Sequence, residues 1–174
     1  RQFNKKVKPF LFSETERNHF SIFAFAAQPL LIKLGALFSD IHPVEVYQRH
    51  REPQTWGWIP GPEIFEYKIV EPNSVENIVA LNLSLSANIE SVRIKQVFGD
   101  QKYSEWKLTI ETPNNDFLKS KTQLKMFRTE FRTLLNRIKS KHGENSILHI
   151  FPAVPVSVAV EIGRVWQPKA DLPI

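Results

Sequence analysis

Apolar and polar residues along this chain fall into two alternating rhythms, one of period two and one of period three to four. Residues 19–26 (HFSIFAFA) are rich in phenylalanine and isoleucine, and their length predicts a buried strand. Pro29 then suits the first turn of a helix, where its missing N–H costs nothing. Leu30, Leu31, Leu34, Leu37 and Phe38 recur behind it at helical spacing. Over residues 43–51, Val44, Val46 and Gln48 alternate with Glu45, Tyr47 and Arg49, which predicts a second strand. Residues 52–72 carry proline, glycine and tryptophan at a density that predicts an ordered loop. Strands are expected at 78–86 and 103–110; between them, residues 88–97 fit either a short helix or an extended piece. The strongest helical signal spans residues 116–142, where Phe117, Leu124, Phe127, Phe131, Leu134 and Ile138 form one stripe. Residues 114–116 offer N-cap side chains, and Gly143 stands at the C-cap position. A strand at 146–151, a second proline-started helix from about 156 and a strand beginning at Leu172 complete the pattern.

Strands alternating with helices predict an α/β fold, with a parallel or mixed sheet flanked by helices. The pattern also repeats. Phe25, Ala27 and Pro29 align with Phe151, Ala153 and Pro155, Gly35 with Gly163 after two extra residues, and Pro43 with Pro173 after two more. Two related halves in one chain, a pseudo-dimer, are the expected architecture, with residues 19–86 in the first half and 87–174 in the second.

Composition narrows the class. The 174 residues are 42% hydrophobic and 24% charged, enough for one interior and too apolar for disorder. No apolar run reaches the roughly 18 residues of a membrane span, so no membrane partner is expected. The absence of cysteine excludes disulfides, thiol nucleophiles and cysteine-held zinc, and fits a reducing cytoplasm. A formal charge of +5 favours an anionic partner. The chain opens on Arg1 and stops as a strand begins, so residues 1–18 are expected to link to an upstream domain and the last strand to continue.

Catalytic patterns are missing. There is no phosphate-binding glycine loop, no nucleophile elbow and no paired-histidine metal motif, and the five histidines lack ligand spacing. Glu63, Glu66 and Glu71 share a loop without an acid–base partner, and His149 reads as a structural imidazole in a core strand. No enzyme, metal or cofactor is expected within these residues. Binding features are richer. Both repeat units place Ala-x-Pro where a strand hands over to a helix, and free N–H groups at such a helix start can seat a phosphate. The candidates there are Gln28, Pro29 and Leu30 on one side and Val154, Pro155 and Ser157 on the other; the alternative is a merely tight turn. Arg49, His50 and Arg51 add cationic donors, while Trp56 and Trp58 either offer stacking surfaces to bases or pin down the loop. Arg164 and Trp166 either join the site or pack the second helix onto the last strand. The basic back of the long helix, from Lys119 to Lys141, is either a solvated face or a grip for DNA or RNA.

The segments FAFAAQPLLIKLGALFSDIHPVEVYQRHREPQTWGW, DFLKSKTQLKMF and LHIFPAVPVSVAVEIGRVWQPKADLPI together resemble the SAVED domain, across nearly the whole chain. The resemblance implies two fused CARF-like Rossmannoid halves and a sensor for a cyclic oligonucleotide second messenger, a cyclic dinucleotide such as a mixed guanylate–adenylate ring or a cyclic trinucleotide. It further implies self-assembly as a dimer, tetramer or filament. In bacterial anti-phage defence such assembly activates a fused effector, expected here to be an HNH-type endonuclease, and DNA is contacted only through it. Cleavage of the ring by the domain itself is a lesser possibility.

Overall fold

The structure is a computed structural model that describes residues 19–40, 42–62 and 64–174, together with residues 5, 6 and 9. The expected upstream linker and Glu63 therefore lie largely or wholly outside the described residues. In chain order the elements are β1 (Phe20–Ile22), α1 (Gln28–Phe38), β2 (Val44–Val46), β3 (Lys68–Val70), β4 (Ile78–Ser84), α2 (Ser91–Phe98), β5 (Ser104–Thr109), α3 (Lys121–His142), β6 (Ile147–Ala153) and α4 (Val156–Val165). β1 and β2 form a parallel pair, and the other strands form a mixed sheet in the order β3-β5-β4-β6, with only β3 antiparallel. The expected α/β class with helix-flanked sheets is what the chain adopts.

Alternation along the strands decides which helix covers which face. Val79, Leu81 and Leu83 of β4 and Trp106 and Leu108 of β5 face one way, onto the Phe127, Phe131, Leu134 and Ile138 stripe of α3. Ala80 faces the other way, into a small cluster with Ile94 and Phe98 of α2. The ambiguous residues 88–97 thus resolve as a helix because those two side chains, one turn apart, close over the sheet.

Several boundaries differ from the sequence expectation. β1 is shorter than 19–26: Phe23 turns out to stack on Tyr47 with ring centroids 4.5 Å apart, and Phe25 is 82% exposed. β2 ends at Val46 because Tyr47 N makes its last ladder bond, to Ile22 O, and the chain then crosses towards the start of α4. The 52–72 loop contains β3, an edge strand whose Lys68 and Val70 face solvent and so blur the apolar pattern. α3 starts at a capping box rather than at residues 114–116: Gln123 N donates to Ser120 Oγ, and Ser120 N donates to Gln123 Oε1. Asn114 instead closes a local turn by accepting from Asp116 N. Gly143 does terminate α3, at φ 80°. His149 is exposed at the edge of β6 and not in the core, lying edge-on to Phe98. No strand forms at Leu172, although Leu148 N donates to Pro173 O just as Phe20 N donates to Pro43 O.

α1 and α4 meet backbone to backbone. A Cβ on Gly35 would stand 1.9 Å from Val160 O and one on Gly163 would stand 1.8 Å from Ile32 O. The contact is reciprocal: each glycine faces the carbonyl three residues before the other glycine and the amide one residue after it, at Arg164 and Ala36. The two glycines are those that align in the sequence repeat. Around this seam the sheets are unequal, and β4, placed before residue 86 in the expected division, is hydrogen-bonded between β5 and β6.

Gly35→Ala or Gly163→Ala must force the helices apart, at about 3 kcal/mol or more, lowering the thermal midpoint by roughly 6–12 °C. Gly57→Ala, whose Cβ meets nothing nearer than Thr55 Oγ1 at 3.4 Å, is the control and stays within about 0.5 kcal/mol of wild type.

Candidate functional site

The two strand–proline–helix turns converge. Gln28 Nε2, at the start of α1, donates to Val154 O in the second turn at 2.9 Å. Gln48, just past β2, reaches the start of α4, where its Oε1 accepts from Ser157 Oγ at 2.8 Å and Ser157 N at 3.4 Å. The ends of β4 and β6 are tied in turn, since Leu85 N and Ser86 N both donate to Ala153 O. These carboxyl ends surround a crevice of about 570 Å³ lined by Phe25, Gln48 to Glu52, Gln54, Ser86, Asn115, Asp116, Leu118 and Val154 to Val156. Its size is that of a small-molecule site, and it sits where open α/β sheets bind ligands.

The sequence candidates divide among three places. His50, Arg51, Val154 and Pro155 line the crevice, Gln28 is bonded to its wall, and Ser157 lies behind Gln48. Pro29 and Trp166 line a different, mainly apolar cavity of about 480 Å³ between α1 and β6, and Leu30 is exposed. Trp56 packs edge-on against Phe23 beneath the Arg49 guanidinium, and Trp58 packs partly buried against the core with His50 edge-on to it. Arg164 does not face the crevice. It is 3% exposed and spends its donors on Ser39 O, His42 O and Glu161 Oε1, tying α4 to the α1–β2 connection. Trp166 Nε1 donates to Leu172 O, so this ring packs α4 onto the final segment.

Other crevice residues were not singled out by sequence. Phe25 was hidden by the apolar run around it, Gln48 by strand alternation, and Asn115 and Asp116 by their resemblance to a helix cap. The first would have been visible only from the early end of β1.

Charge is placed unevenly. Arg49, Arg51 and Glu52 stand on one stretch of the crevice wall and Asp116 on another. His50 is 2% exposed; burial chiefly, and Lys119 secondarily, hold its pKa below the ordinary 6.5, with Asp116 opposing. It is therefore a neutral imidazole and not the cationic donor expected from the Arg-His-Arg run. Among the described residues, four buried side-chain atoms lack a hydrogen-bond partner: Gln28 Oε1, His50 Nε2, Trp58 Nε1 and Glu161 Oε2. The last has Arg128 Nε at 3.2 Å as its counter-charge. The other three belong to candidate residues in or beside the crevice, in a fold where buried polar groups are otherwise satisfied.

The basic back of α3 is engaged elsewhere. Lys119 pairs with Asp116, Lys121 with Glu45, Arg128 with Glu161, Arg132 with Asp171, Arg137 and Lys141 with Glu71, and Lys139 with Glu144. Only Lys125 of the run has no carboxylate partner among the described residues. These cations stitch α3 to its surroundings, which leaves little free charge for a polynucleotide. Among the same residues, no cluster of three or more His, Asp or Glu could hold a metal ion, and no helix is long and apolar enough to cross a membrane.

A crevice at the carboxyl ends of parallel strands, bordered by two similar turns, defines an α/β domain with a candidate ligand site. The family model for SAVED, the SMODS-associated and fused to various effectors sensor domain, matches residues 3–174. The chain belongs to the SAVED family, whose members are sensors of cyclic oligonucleotides. No curated protein matches the chain.

Two outcomes follow from the buried ionisable groups. Below pH about 6.5 the unfolded chain protonates His50 while the folded chain resists, so stability falls with pH from there down to the depressed folded value. His50→Phe removes that part of the slope in urea titrations run between pH about 7.5 and 5.5. Arg164→Ala, which leaves the buried Glu161 with Arg128 as its remaining counter-charge, costs about 2–4 kcal/mol by the same assay.

Proposed function

We propose that the crevice binds a cyclic di- or trinucleotide, and that binding promotes self-assembly which activates a fused effector, an HNH-type endonuclease in bacterial anti-phage defence. The observation that carries this reading is the convergence of both turns on one cavity, bridged by Gln28 and Gln48 and edged by buried polar atoms without partners. Arg51 and Arg49 hold phosphates, and the exposed face of Phe25 takes a base. The fused halves of the expected pseudo-dimer, meeting at the reciprocal Gly35–Gly163 seam, give a crevice with two unlike sides. Such a site can favour one ring over another. Val154 and Pro155 form its floor, held by Gln28 and, through Gln48, by Ser157, while Trp56 and Trp58 support the rim from behind. Arg164 and Trp166 take no part, since their polar atoms are spent inside the fold.

A thermal-shift panel of cyclic di-, tri- and tetranucleotides tests the reading. A ring present at about 100 times its Kd adds about 2.7 kcal/mol, a rise of roughly 5–11 °C. Arg51→Ala removes the shift and leaves the unliganded midpoint within about 2 °C of wild type, as expected of an exposed side chain. A panel without any shift, or a shift that survives in Arg51→Ala, would overturn the assignment. Gel filtration with the stabilising ring then reports assembly.

A further inference from the structure

Resting on that reading, the structure assigns a narrower task to one residue: we infer that His50 hydrogen-bonds an uncharged ribose 2′-hydroxyl of the ring and not a phosphate, and so determines which sugar the site accepts.

Three observations place the sugar there. First, His50 lines the crevice while almost wholly buried, and its Nε2 has no partner. A polar atom withdrawn from water this far costs free energy unless something bonds to it, and the ring that carries it borders both the crevice and Trp58, whose own Nε1 lacks a partner. Second, the neighbouring groups are matched to other parts of a nucleotide. Arg49 and Arg51 flank His50 along the chain and are less buried or exposed, which suits the charged phosphates. Phe25 offers its apolar ring to a base. A ribose lies between the phosphate and the base of any nucleotide, and its hydroxyl falls between the groups that take those two. Third, the chemistry at Nε2 fits a hydroxyl better than either alternative. An imidazole kept neutral by its surroundings brings no positive charge to a phosphate. A hydroxyl both donates and accepts, so it satisfies Nε2 in either tautomer, whereas each atom of a base edge does only one of the two.

A site built to hydrogen-bond a hydroxyl rejects the analogue lacking it, because its own buried polar group is then left without a partner. The probes are 3′,5′-linked cyclic diadenylate, diguanylate and triadenylate, each beside its all-2′-deoxy counterpart, titrated by calorimetry. Wild type is expected to bind at least one ribose ring about tenfold or more tighter than its deoxy form. His50→Phe, which keeps a flat buried ring and deletes the nitrogen, binds the two forms within about twofold of each other, at the affinity wild type has for the deoxy ring. His50→Gln restores a polar terminus and recovers part of the preference; if His50→Phe fails to fold by circular dichroism, Gln and Asn replacements carry the comparison. Equal binding of both sugars by wild type overturns the inference. So does a preference that survives in the variants, or an equal weakening of both rings, which would mark a phosphate contact or a packing role. Failure of every ring to bind wild type would overturn the proposed function instead, so the two failures are told apart.

Discussion

Two helices whose backbones touch leave no room for even one methyl group, and this closeness at Gly35 and Gly163 is the constraint from which the rest of the domain is arranged. Because α1 and α4 approach to backbone contact, the turns that lead into them are also brought near each other, near enough for Gln28 to bond Val154 O across the gap. A wider helix pair would separate the turns. The glycines therefore act on the site from a distance, through the spacing of the elements that carry it. α4 is enclosed by this packing along its length, which is why even its Glu161 and Arg164 are buried and must pair with each other.

The charged residues of α3 tell a related story. A long helix with a basic back suggests, on composition alone, a surface for nucleic acid. In the fold Lys121, Arg128, Arg132, Arg137 and Lys141 find carboxylates on other segments: Glu45 on β2, Glu161 on α4, Asp171 near the end and Glu71 after β3. Each exposed pair contributes little by itself, yet together they fix the orientation of α3 against several elements. The arginines of the crevice are not among the cations held in these pairs.

How much of this could be read from sequence depends on what each residue's neighbours were. The core of the second sheet was legible because β4 and α3 are long enough for their periods to show, and the repeated Pro and Gly marked both crossovers. Short elements were not: β1 and β2 have three residues each, and the apolar residues beyond them, such as Phe25, continue the pattern without continuing the strand. For Arg164 the sequence leaves a site role and a packing role open; only the tertiary packing shows that three carbonyl or carboxylate partners surround it. His50 was read as a cation from its two arginine neighbours, but charge state is set by burial, which local sequence does not display. The crevice itself was partly legible, since the two turns were marked by the repeat. Its remaining wall, Asn115 and Asp116, comes from a loop whose proximity depends on where Ser120 starts α3.

The reciprocal seam also fixes how the molecule is able to deform. With their backbones in contact at this crossing, α1 and α4 cannot separate there. Their N-terminal ends hold the crevice; the opposite ends carry Ser39 and Trp166 on the far side of the domain. Those far ends are bonded to each other, Arg164 Nε donating to Ser39 O and Gln167 Nε2 to Asp40 Oδ2, while Gln28 bonds Val154 O at the crevice end, so the helix pair is braced at both ends and in the middle.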